Sequence, residues 1–137
     1  MQPGVITYSG FLGTDQRDFR QIIADDEKIM AKLGTTAEDI ANRLEYFQQK
    51  SFDAFQGSTV VDDIYDVETE VVRGYIPCPF IHQGVYRKSY TTVTNRKSGK
   101  SFTFSALNIH LIREHHFFEG KNSSFRLEPQ ELYNELF

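Results

Sequence analysis

The chain contains one cysteine, Cys78, and no tryptophan among its 137 residues. A single thiol cannot close an internal disulfide, so the fold must be held by packing, and a reducing compartment is the expectation. No apolar run approaches the roughly 20 residues that cross a bilayer, and no basic segment leading into an apolar one opens the chain. A cytoplasmic protein with no membrane partner is therefore predicted. Also missing are the glycine-rich phosphate loop, the dinucleotide glycines and the Gly-x-Ser-x-Gly elbow, so nucleotide-dependent and serine-hydrolase chemistry has no support.

A different absence is local. Between Val71 and Arg113 there is no Asp or Glu, while Arg73, Arg87, Lys88, Arg96, Lys97, Lys100 and Arg113 fall within that stretch. Residues 1–70 carry fourteen acids against six bases and residues 114–137 carry five against two, giving an overall formal charge of −4. The middle of the chain is thus a basic island in an acidic protein.

Against these absences stand twelve Phe and seven Tyr. Each ring buries a large area, so a Phe-rich core is expected, and 137 residues suffice for one domain with one core. From Asp15 to Leu33, Phe19, Ile22, Ile23, Ile29, Met30 and Leu33 recur at helical spacing, with Thr14 as the expected cap and Gly34 as the stop. Thr35 and Glu38 read as a capping box for a second helix that places Ile40, Ala41, Leu44 and Phe47 on one face and runs toward Gly57. The string TTAEDIANRL is similar to the second helix of helix-turn-helix units. Glu38, Asp39 and Glu45 against Arg43 alone give that face the wrong sign for a duplex, so a helical hairpin is the reading.

Asp62, Asp63 and Asp66 lack the glycine and distal Glu of a calcium loop and read as solvated turn acids. The period then becomes two. Tyr65, Val67, Thr69 and Val71 alternate with Asp66, Glu68 and Glu70, and VYRKSYTTVTN, a Gly-containing turn and Ser101–Phe104 form a hairpin. Ser105 caps a third helix that Phe117 and Phe118 end, residues 119–124 form a polar turn, and Pro129 starts a terminal helix containing Leu132, Tyr133, Leu136 and Phe137. The predicted fold is α+β: an N-terminal helical hairpin, a small antiparallel sheet of about three strands, a His-rich helix and a short C-terminal helix. Residues 1–137 make a single domain, with 1–57 mainly helical and 58–137 a β-hairpin plus helices.

Three of the four histidines, His110, His115 and His116, crowd onto the third helix. With Leu107 at zero degrees on a helical wheel, Leu111 lies at about 40 and Glu114 at about −20, so His110 and His115 flank an apolar seam. Zinc takes four N or S ligands, and Cys78, His82, His110 and His115, with His116 as substitute, supply that chemistry. A knuckle, a hairpin and a helix with two histidines, preceded by Leu107, is an order that resembles a zinc finger. A finger has two cysteines and about twelve residues before its first histidine. Here His82 replaces the second cysteine and twenty-seven residues intervene. The resemblance covers residues 76–116 and implies a structural zinc. The competing assignment makes His110 a half-buried helix residue paired with Glu114, and His115 and His116 a polar helix end.

Two enzyme readings share these residues. Three ligands and a water would leave Glu114 or Glu119 as base for metal-assisted hydrolysis, and Cys78 with a histidine would make a thiol nucleophile. The hairpin offers a nucleic-acid reading, with Tyr86 and Tyr90 for stacking and Arg87, Lys88, Arg96, Lys97 and Lys100 for phosphates. The same bases facing the acidic helices would need no external partner. The expectation is a small binding or regulatory module that is not an enzyme, with nucleic acid or another protein as partner and zinc as the one cofactor considered. A metal-dependent hydrolase and a homo-oligomer with exposed Phe residues are the alternatives.

Overall fold

The computed structural model describes residues 12–54, 58–77, 85–123 and 125–137, excluding the side chains of 72, 73, 75–77 and 85–88. Among these residues four helices, α1 (Phe19–Leu33), α2 (Ala37–Asp53), α3 (Ala106–His115) and α4 (Pro129–Leu136), accompany four strands, β1 (Ser58–Val61), β2 (Tyr65–Pro77), β3 (Val85–Asn95) and β4 (Ser101–Ser105). The strands form one antiparallel sheet in the order β1-β2-β3-β4. The fold is α+β as expected, with four strands where about three were predicted. The extra one is β1, too short to show an alternation. Its three-residue turn into β2 holds Asp62 and Asp63 at φ 53° and 59°, both left-handed, and the Ile64 amide donates to the Val61 carbonyl at 3.2 Å.

Helix ends follow their capping chemistry. Asp18, rather than Thr14, caps α1, its carboxylate accepting from the Arg20 amide at 2.9 Å. Asp15 is occupied elsewhere, taking hydrogen bonds from Arg17 and from the Lys121 amide, so the chain at 12–15 is a turn. Gly34 ends α1 at φ 76°, as its position predicts. The cap of α2 is Thr36, accepting from the Asp39 amide, one residue beyond the predicted box, and α2 ends at Asp53. The predicted extension toward Gly57 falls on 55–57, outside the described residues.

The predicted helical hairpin is replaced by different partnerships: α1 packs chiefly on α4, and α2 on α3 and the sheet. Among the described residues the buried apolar side chains fall into two clusters where one core was expected. The larger joins Ile40, Leu44, Phe47, Val67, Val93, Phe104, Ile112, Phe118, Leu132 and Leu136; the smaller joins Leu12, Ile22, Leu107, Leu111 and Phe117. Arg43 ties the larger one together. Its guanidinium carbon lies 4.6 Å from the Phe47 ring centre and 5.6 Å from that of Tyr65, and its Nε donates to the Leu136 carbonyl at 2.6 Å. Phe137, expected on the apolar face of α4, is instead 51% exposed and stacks on Tyr133. Among the described residues no helix is long and apolar enough to cross a membrane.

Candidate functional site

The His-rich helix begins with a reciprocal cap. The Asn108 amide donates to the Ser105 hydroxyl at 3.1 Å, and the Asn108 side-chain oxygen accepts from the Ser105 amide at 2.9 Å. From this start α3 runs between the two apolar clusters, giving Ile109 and Ile112 to one and Leu107 and Leu111 to the other. Only Ala106, His110 and the last turn reach solvent. His110 and His115 meet edge to face, ring centres 5.1 Å apart. His116 departs: as the left-handed C-cap at φ 55°, it turns Nδ1 to within 3.1 Å of the Glu27 carboxylate on α1. Cys78 and His82, the other predicted ligands, lie outside the described residues. Among the described residues no group of three or more His, Cys, Asp or Glu side chains is placed to hold a metal ion. Beside His110 a groove of about 220 Å³ opens between α2 and α3, with Glu45, Gln48, Arg113 and Glu114 on its walls. Arg113 spans it, donating to Glu45 at 2.6 Å and Asn42 at 2.9 Å.

The basic island is set against acids. Arg96 lies 3.9 Å from Asp66, Lys100 lies 4.0 Å from Glu131, and Arg113 pairs with Glu45. The hairpin tip is docked on α4: Asn95 donates to the Glu135 carbonyl at 2.8 Å and Ser98 to the Glu135 carboxylate at 2.6 Å. Lys97 is exposed at the same tip. The side chains of Tyr86, Arg87 and Lys88 are among those not described. Tyr90 is described, and it faces away from the helices.

That outer face was not foreseen as a site. Odd-numbered residues Ser89, Thr91, Val93 and Asn95 of β3 point inward and are buried, which turns Tyr90, Thr92 and Thr94 outward. Antiparallel register sets Asp66 beside Thr94, Glu68 beside Thr92 and Glu70 beside Tyr90, while Thr103 of β4 flanks Thr92 on the other side. The Thr92 and Thr103 hydroxyls are 3.0 Å apart. Phe125 arrives from the segment between α3 and α4 and stacks on Tyr90, centroids 5.3 Å apart and planes inclined by 10°. These groups enclose a cleft of about 300 Å³ lined by Glu68, Glu70, Tyr90, Thr92, Thr103 and Phe125.

Phe125 is held there by its neighbour. Arg126 makes two hydrogen bonds to Asp26 on α1, at 2.6 and 2.9 Å, two to Glu128, at 3.0 and 2.9 Å, and one to the Glu119 carbonyl at 2.8 Å. The residues expected to form a polar turn are partly interior. Glu119 is 5% exposed, accepts from Asn108 at 2.7 Å and Ser123 at 3.0 Å, and burial pushes its carboxyl up to about 7 against those two bonds and Arg126. Asp26, Glu119 and Arg126 are charged residues without local periodicity, so no signal in the sequence marks them as interior. Glu68 and Glu70 were legible: their alternation with Val67, Thr69 and Val71 already placed both on one face.

Compared with protein-family models, curated proteins and solved structures, the chain shows no match, so its function is read from its own residues.

Proposed function

We propose that this protein is a non-enzymatic binding module that takes up a segment of another protein on the outer face of its sheet. The observation that carries this reading is the cleft in which the stacked Tyr90 and Phe125 adjoin Glu68, Glu70 and the Thr92 and Thr103 hydroxyls. Aromatic rings fixed at the edge of a concave polar surface supply contact area at low entropic cost. A volume near 300 Å³ is at the lower end for small-molecule sites and suits one or two side chains better than a cofactor. Acids on this face disfavour phosphate, which favours protein over the nucleic-acid partner expected from the basic island.

Selection from a random peptide library tests this. Enrichment on the wild-type chain is expected, with loss in the Tyr90→Ala/Phe125→Ala variant at unchanged circular dichroism. Absence of enrichment, or enrichment equal in the variant, rejects it.

The contact of His110 with His115 favours a second reading, a zinc site completed by Cys78 and His82. Elemental analysis after chelator-free purification would then give near-stoichiometric zinc, lost in His110→Ala. Metal near zero, with folding unaltered by chelator, ends both the structural-zinc and metal-hydrolase readings.

A further inference from the structure

Taking the outer sheet face as the binding surface, we propose that its ligand is an extended, basic protein segment whose arginine or lysine side chains alternate with small residues, one cation resting between Tyr90 and Glu70 and the next on Glu68. The inference rests on the reading above and specifies its partner.

Charge comes first. Asp66 has Arg96 at 3.9 Å, but the carboxylates of Glu68 and Glu70 make no ion pair or hydrogen bond with another described side chain. Both are exposed and project from the same face two residues apart. Successive same-face positions on a strand are separated by about 6.7 Å, and an extended ligand has that same repeat. A segment with a base at every second residue therefore matches the two carboxylates in spacing as well as in sign. A second copy of this chain does not, since it would bring Asp66, Glu68 and Glu70 against their own equivalents.

The aromatic wall selects the kind of cation. Tyr90 lies directly opposite Glu70 in the register, and its ring is doubled by Phe125. A guanidinium or ammonium group held by the Glu70 carboxylate meets the aromatic surface at the same time, and attraction to the ring adds to the ion pair. The Thr92 and Thr103 hydroxyls, in line with Glu68 across β3 and β4, offer acceptors for the remaining N–H groups. Exposed ion pairs are individually weak, so affinity must come from two cations and one aromatic contact acting together, and it must fall with salt.

The test uses the full chain and nuclear magnetic resonance titration with the acetylated, amidated peptide Arg-Thr-Arg-Thr-Arg, with its citrulline analogue and with a thymidine oligonucleotide as comparison probes. The arginine peptide is expected to shift the amides of Glu68, Glu70, Tyr90, Thr92 and Thr103. Binding should weaken by about tenfold in Glu68→Gln/Glu70→Gln, whose exposed substitutions leave the fold intact, and again between roughly 0.05 and 0.5 M salt. Equal binding of the citrulline peptide, or unreduced binding by the glutamine variant, overturns the inference while leaving the outer face as a peptide site. Failure of every peptide, including any selected from the library, overturns both, and so does preferential binding of the oligonucleotide on these residues.

Discussion

Arg126 and Asp26 form a two-pronged ion pair, at 2.6 and 2.9 Å, across 100 residues of sequence, with side chains only 10% and 2% exposed. The residue beside Arg126 is Phe125, so the pair fixes on α1 the loop that delivers an aromatic ring to the far side of the sheet. A buried charge left without its partner is costly. Arg126→Met is expected to cost about 3–5 kcal/mol in denaturant unfolding, because Asp26 then stays buried and uncompensated. Adding Asp26→Leu should recover a large part of that loss. Equal stability of single and double variants would show that the pair does not anchor the loop.

Glu119 makes stability depend on pH in the direction opposite to most carboxyls. Unfolded, it holds its proton only below about 4.5; folded, burial lets it hold the proton up to about 7, against the opposing hydrogen bonds from Asn108 and Ser123 and the charge of Arg126. The native state binds more protons in between, so the contribution is complete below 4.5 and is lost as pH rises through 7. At about 1.4 kcal/mol per pH unit the whole effect is about 3.5 kcal/mol at most. Asp15 acts the other way: hydrogen bonding from Arg17 holds it well below its ordinary 3.8, so its contribution is present above that value and fades on acidification. Unfolding free energy should therefore peak between about pH 4 and 5, decline up to about pH 7 and level off above it, and Glu119→Gln should flatten the decline. An unchanged slope in that variant would contradict the assignment.

Gln48 presents the reverse case, a polar atom that the fold leaves unserved. Its side-chain nitrogen is buried with no hydrogen-bond partner among the described residues. An unsatisfied buried donor costs about 1–3 kcal/mol, so Gln48→Met, similar in length and apolar, should raise the melting temperature by a few degrees. A lower melting temperature would show that the amide is bonded in solution.

Gly13 and Gly120 bring two backbone segments into contact that no side chain permits. A Cβ on Gly120 would fall within the Leu12 backbone, and one on Gly13 within that of Lys121 to Ser123. Gly13 also sits at φ 57°, where only glycine is unstrained. Gly120→Ala should destabilise by about 2 kcal/mol or more, well beyond the usual surface substitution, because backbone rather than a flexible side chain must yield. Thermal melting of that variant beside Gly99→Ala, whose Cβ meets open space but whose φ of 78° strains any side chain, separates steric contact from backbone strain.

What the sequence revealed is what neighbours in the chain decide. Gly34 ending α1, Ser105 capping α3, Pro129 opening α4 and the alternation of β2 are all local signals, and all lie where they were expected. Errors arose where a distant residue intervenes. Asp15 is claimed by the Lys121 amide, which moves the start of α1 to Phe19; Glu119 is interior because Asn108 reaches it; and Phe125 acquires a role only because Asp26 holds Arg126. The basic island was visible as composition, but its acid partners on β2 and α4 required the sheet register and the docking of Asn95 on Glu135.

The position of α3 between two apolar clusters has a kinetic consequence. An element gripped by one core can detach while the rest stays folded, whereas one shared by two can open only when both come apart. Amide hydrogens of Leu111 and Ile112 should consequently be among the slowest to exchange with solvent, at a rate set by global unfolding rather than by fraying. His110 thus stands on a turn of helix that should open only with both clusters, and any group that it receives meets a ring whose place is fixed beforehand.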